Sequence, residues 1–151
     1  MKSLFDITTH DEILNRIDKV STDSMPSWGK MNVGQMFAHC QMPLEIAMEK
    51  RTLSAKKPGF MKRLLFKLYK PLMYNDKAWS KNLPTVRDFI VNDAKDVDVE
   101  KAKLSNLVSE FHQYKDTDEF PPHPMFGKFT NEQWGKMQYK HLDHHLNQFG
   151  V

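Results

Sequence analysis

The chain has 151 residues, 40% of them hydrophobic and 27% charged, with 22 Lys plus Arg against 19 Asp plus Glu and a formal charge of +3. This length and apolar content predict one globular domain over residues 1–151 and exclude a disordered or low-complexity chain, because enough surface can be buried to offset the entropy of ordering it. The lone cysteine, Cys40, excludes a disulfide-stapled scaffold, and with no signal-like apolar run in residues 1–20 and no long uncharged apolar stretch we expect a cytoplasmic protein without a membrane span.

Helical signals come first. Thr9 and Glu12 have capping-box spacing ahead of Ile13, Leu14, Ile17 and Val20, which predicts a short helix over about residues 10–20. Asn32 can cap a second helix reaching to about Lys50, with Val33, Met36, Phe37, Cys40, Leu44, Ala47 and Met48 on a wide apolar arc. Pro43 lies inside it and cannot donate to the carbonyl of His39, so a local bend or loosening is expected there.

Leu104, Leu107, Val108, Phe111 and Tyr114 recur at helical spacing and predict a third long helix over about 97–114. Pro121, Pro122 and Pro124 enforce a loop before a last helix that opens with a Thr130/Gln133 capping box, runs to Phe149 and stops at Gly150. Between the second and third of these helices lies a connection too long to stay structureless, residues 51–97. An amphipathic helix over Phe60–Tyr69 and an extended piece at Phe89–Val91 are expected within it. The result is an all-α chain arranged as a bundle with one long crossover.

Charge is unevenly spread. Residues 50–87 hold eleven Lys/Arg and one acid, which leaves eleven basic and eighteen acidic residues elsewhere. The expected role of this segment is a crossover whose apolar side covers the bundle while its lysines stay solvated. An anionic membrane surface, a nucleic acid, an acidic protein face or the steering of anionic substrates are the other uses such a composition allows.

Three of the seven histidines stand on the last helix. At about 100° per residue, His141 and His145 fall on either side of Trp134 in mid-stripe, with His144 at the border and Asp143, Lys136 and Lys140 on the predicted solvent face. Histidines four apart on one face can direct ring nitrogens at one cation. His39, flanked by Met36, Met42 and Ile46 on the second helix, is the candidate third ligand. Three neutral nitrogens would leave coordination positions open for water or substrate, as in catalytic sites, with Zn or Ni the leading expectations and Mn a third. Alternatively, these are core histidines bonded to carbonyls or to one another. Gln148 and His144 are placed to support a ligand, water or substrate. His10, His112 and His123 have ordinary surface or loop readings, and Cys40 reads as a small buried hydrophobe.

The stretches 28-WGKMNVGQMFAHCQM-42 and 141-HLDHHLNQ-148 together resemble the DinB/YfiT-like superfamily, and 123-HPMFGKFTNEQW-134 resembles an uncharacterised subgroup of it, a domain of unknown function. The resemblance implies a four-helix bundle of up-down-down-up connectivity and a divalent metal held by His39, His141 and His145. It further implies a reaction of the kind run by metal-dependent hydrolases or low-molecular-weight thiol transferases. A small-molecule substrate is therefore expected, nucleic acid is not, and a homodimer would hide remaining apolar helix surface. The competing class is a non-catalytic bundle that binds a small ligand, a partner protein or an anionic surface.

Overall fold

The computed structural model describes residues 1–54, 59–117 and 119–151, and of residues 60, 62 and 63 only the backbone. Residues 55–58 of the basic segment lie outside the described residues. Among the described residues five α-helices form: α1 (Ile7–Lys19), α2 (Val33–Ala47), α3 (Phe60–Tyr69), α4 (Val97–Gln113) and α5 (Asn131–Gln148). Single 3-10 turns stand at Lys70–Met73, Arg87–Phe89 and Tyr114–Asp116. No strand occurs among the described residues, so the all-α expectation holds.

Capping chemistry sets the helix starts. Asn32 accepts from the Gln35 amide while the Gln35 side chain accepts from the Asn32 amide, and Thr130 and Gln133 do the same for α5. Each pair satisfies two backbone donors that would otherwise lack partners. Asp96 caps α4 through the Val99 amide. The expected Thr9/Glu12 box does not form: α1 begins earlier, behind Asp6, so Thr9 is already inside the helix and buried. Glu12 instead pairs with Lys2 and Arg16. α2 runs through Pro43, whose own carbonyl accepts from Gln138 Nε2 of α5 at 2.8 Å. Gly150, at φ +79°, ends the α5 segment as expected.

α2 packs against α4 and α5, and α1 against the same two helices. Their shared interior holds Ile13, Ile17, Phe37, Leu44, Leu104, Phe111, Trp134 and Leu146. Polar ties fix how the helices meet: Gln41 Nε2 donates to Glu100 Oε2 at 2.8 Å between α2 and α4, and Arg16 pairs with Asp143 at 2.7 Å between α1 and α5. Asp143 therefore faces α1, where the helical wheel had placed it in solvent. The N-terminal segment crosses α5 at Gly135, where a Cβ would meet Ser3 Oγ at 2.3 Å and the Phe5 ring at 2.6 Å, so a side chain there would force Ser3 and Phe5 to move.

The connection departs most from expectation. α3 forms over the predicted residues; of the expected extended piece at Phe89–Val91, Phe89 instead closes a 3-10 turn, while Ile90 is extended at φ −76° and ψ 121°. The leucines of α3 do not cover the helical core. Met61, Leu64, Leu65 and Leu68 are 76%, 52%, 49% and 73% exposed. One tie between the connection and the helices is Lys140, expected in solvent but only 6% exposed. Its ammonium donates to the carbonyls of Leu72 and Asn75 and to Asn75 Oδ1 at 2.7–2.9 Å. A wheel assigns Lys140 outward because it sees only the apolar stripe of α5, whereas the folded connection brings carbonyls over that side of the helix, and the ammonium satisfies them.

Replacing Lys140 with Met removes three charge-assisted hydrogen bonds, with Leu72 O keeping only the Trp79 indole as donor, so we expect Lys140→Met to lose about 1–3 kcal/mol of stability in urea unfolding. Lys136→Met, which removes only an ion pair with the exposed Glu132, should stay within about 0.5 kcal/mol of the parent.

Candidate metal centre

Helical periodicity puts His141 and His145 on the inner face of α5, and the packing of α2 on α5 brings His39 to them. All three are buried. Their ring centroids lie 4.7–5.0 Å apart, and one ligand atom from each falls within 4.8 Å of the others. His144 is outside this set. It stands against His145 at 5.1 Å and between Trp28 at 5.7 Å and Trp79 at 5.9 Å.

Burial away from countercharge keeps the rings neutral. Burial lowers the pKa of His39, lowers that of His141 well below the usual value, and takes His145 to about 3, with the neighbouring imidazoles adding to the effect on the α5 pair. Neutral imidazole is the metal-ligating form.

The hydrogen bonds fix which nitrogen of each ring carries the proton. A carbonyl only accepts, so His39 Nδ1–H donates to Phe89 O at 2.9 Å and leaves a lone pair on Nε2. The Gln148 amide donates through Nε2 to Trp28 O at 2.6 Å, so its Oε1 accepts from His145 Nδ1–H at 2.9 Å. That too leaves the lone pair on Nε2. His141 is the exception. Its Nε2 lies 3.0 Å from the lone pair of His39 Nε2 and must donate to it, so the lone pair of His141 sits on Nδ1, which is buried without a partner. His39 and His145 are thus already oriented as ligands. His141 would join them by moving its proton from Nε2 to the partnerless Nδ1. In donor type and proximity these three residues could hold a metal ion.

A cleft of about 250 Å³ opens over the cluster, walled by Trp79, Leu83, Phe89, Met125, Phe126 and Met137. Trp79 is held by its indole N–H donating to Leu72 O at 3.0 Å, the carbonyl that also receives Lys140. A second hollow of about 470 Å³, between the Trp28 loop and residues 82–92, shares His144 and His145 with the first.

Sequence reasoning missed His123, which lines the same cleft. Its backbone exchanges both hydrogen bonds with Gly127 at 2.9 Å, and its Nδ1 accepts from the amides of Met125 and Phe126 at 3.1 and 3.3 Å. Nε2 therefore carries the proton. Burial among Phe126, Phe129 and Trp134, with the Lys70 ammonium nearby, takes its pKa to about 4. The signal for it is a turn, His123 to Gly127 with glycine at φ +74°, and not a helical period. His10 and His112 also differ from the surface reading: they pack together at 4.7 Å, and His112 Nδ1 donates to Leu4 O at 2.7 Å. Cys40 is buried, which pushes its thiol pKa up and removes it as a nucleophile.

An all-helical chain with three buried, mutually close histidines is thus a candidate metal-binding protein. The chain belongs to the family described as "Protein of unknown function (DUF1569)", which matches residues 1–150. Searches of the curated proteins and of the solved structures gave no match.

The pKa of His123 has a measurable consequence. Because its folded value lies below the unfolded 6.5, the unfolded chain takes up the proton first, and stability present above pH 6.5 is lost as pH falls toward 4. At about 1.4 kcal/mol per unit this is roughly 2–3 kcal/mol. Urea unfolding of His123→Phe should show a pH dependence shallower by that amount between pH 6.5 and 4.

Proposed function

We propose that this protein is a divalent-metal-dependent enzyme of the DinB/YfiT-like kind, a single-domain four-helix bundle of up-down-down-up connectivity whose metal is held by His39, His141 and His145. The observation that carries this reading is the convergence of three buried, neutral imidazoles at the base of an apolar cleft. A divalent ion held there would supply Lewis acidity, lowering the pKa of a water or a substrate thiol, for hydrolysis or thiol transfer. Zn and Ni suit an all-imidazole set best, with Mn as a third choice.

The chain's own residues have distinct roles in this proposal. The Phe89 carbonyl and the Gln148 amide orient His39 and His145. Trp79, Leu83 and Phe126 give the cleft its apolar walls. His144 and Thr85, which line both hollows, and His123 in the first are among the polar groups available to a small-molecule substrate. No carboxylate lines either hollow among the described residues, so no acidic general base is assigned.

The alternative, a non-catalytic bundle, rests on the His39–His141 hydrogen bond, which partners those two rings without a metal. Elemental analysis separates the two. Untagged protein purified without chelator and loaded with Zn, Ni or Mn should hold near one ion per chain, and His39→Ala and His145→Ala should lose it. Absence of specific uptake under every condition overturns the metalloenzyme reading. Gln148→Leu keeps all three ligands but frees the His145 ring, and should weaken metal affinity by about 10–100-fold in competition titrations.

A further inference from the structure

α3 is amphipathic in the reverse sense to a helix that packs on a core. At about 100° per residue, Met61, Leu64, Leu65 and Leu68 fall within an arc of about 100°, and that arc faces solvent. Phe66, on the other side, turns inward to meet Phe126 edge-on at 5.6 Å. Tyr69 and Leu72, both exposed, extend the apolar surface into the following turn, which is the element α3 chiefly contacts. The surrounding sequence is strongly cationic: residues 50–75 contain eight Lys/Arg and no Asp or Glu. Contiguous exposed aliphatic surface of this kind marks an interaction site.

We propose that α3 docks this protein on anionic phospholipid membranes, its Met61/Leu64/Leu65/Leu68 stripe entering the acyl boundary while the basic segment meets the headgroups. Charge complementarity selects this occupant. Apolar side chains gain from the acyl region, and each cation near an anionic surface adds its own attraction. Two copies of α3 face to face would instead bring two strongly positive segments together. A nucleic acid would take the cations but offer an aliphatic stripe no base to stack on, since such stacking uses aromatic faces. The proposal stands apart from the metal site and needs no ion there.

Vesicle flotation tests it with the full chain. Liposomes of phosphatidylcholine containing about a third phosphatidylserine should carry the protein, at least tenfold more than phosphatidylcholine alone, and this excess should fall as salt is raised. Met61→Ser/Leu64→Ser/Leu68→Ser, three changes at exposed positions, should cut vesicle binding at least tenfold while far-UV circular dichroism and the urea midpoint stay unchanged. Equal binding by parent and variant, or none by either, overturns the proposal. So does a parent that floats with neither lipid yet binds single-stranded DNA, or one that forms a dimer the serine substitutions dissociate.

Discussion

Burying imidazole among apolar side chains obliges each ring nitrogen to find a partner, because no water remains to supply one. Three such rings meet where α2 crosses α5, with no carboxylate among them. Neutrality follows from that, and with neutrality comes a fixed set of donors and acceptors. The Phe89 carbonyl and the Gln148 amide each take one proton, and the His39–His141 contact uses another. Two nitrogens are left over, His145 Nε2 and the buried His141 Nδ1, and they separate this cluster from a fully satisfied core network.

Part of what completes the cluster comes from outside the helices that carry it. Phe89 lies in the connection between α2 and α4, and Trp28, which anchors Gln148, lies in the loop before α2. The same connection supplies Trp79 and the carbonyls that hold Lys140. A cation and an indole converging on one carbonyl, Leu72 O, tie the wall of the cleft to α5. Long connections are entropically tolerable when a few such bonds pin them, and here the pinned points are those that border the histidines.

What could be read from the sequence was whatever depends on local order. The Asn32 and Thr130 capping boxes need only residues three apart, and the inward placement of His141 and His145 needs only the helical period, so both agree with the structure. His39 followed from the same period on α2. Features set by contact between distant segments were not legible. Lys140 is buried because carbonyls 65 and 68 positions away in sequence reach it. His123 lines the cleft because a turn closed by Gly127 folds beneath aromatic rings. The outward stripe of α3 escaped because amphipathicity gives the direction of a face only relative to a neighbour, and the core is already covered by the other helices.

The dependence of the histidines on borrowed partners bears on the order in which structure is lost. The helical core can open only by exposing its largest apolar side chains, whereas the Phe89 turn carries no buried residue. Segments with little buried surface separate first, at free energies below that of global unfolding. His39 would then lose its orienting carbonyl while α2, α4 and α5 remained packed. An ion held as proposed and the helicity of the core would consequently be governed by different opening events, the first local and frequent, the second cooperative and rare.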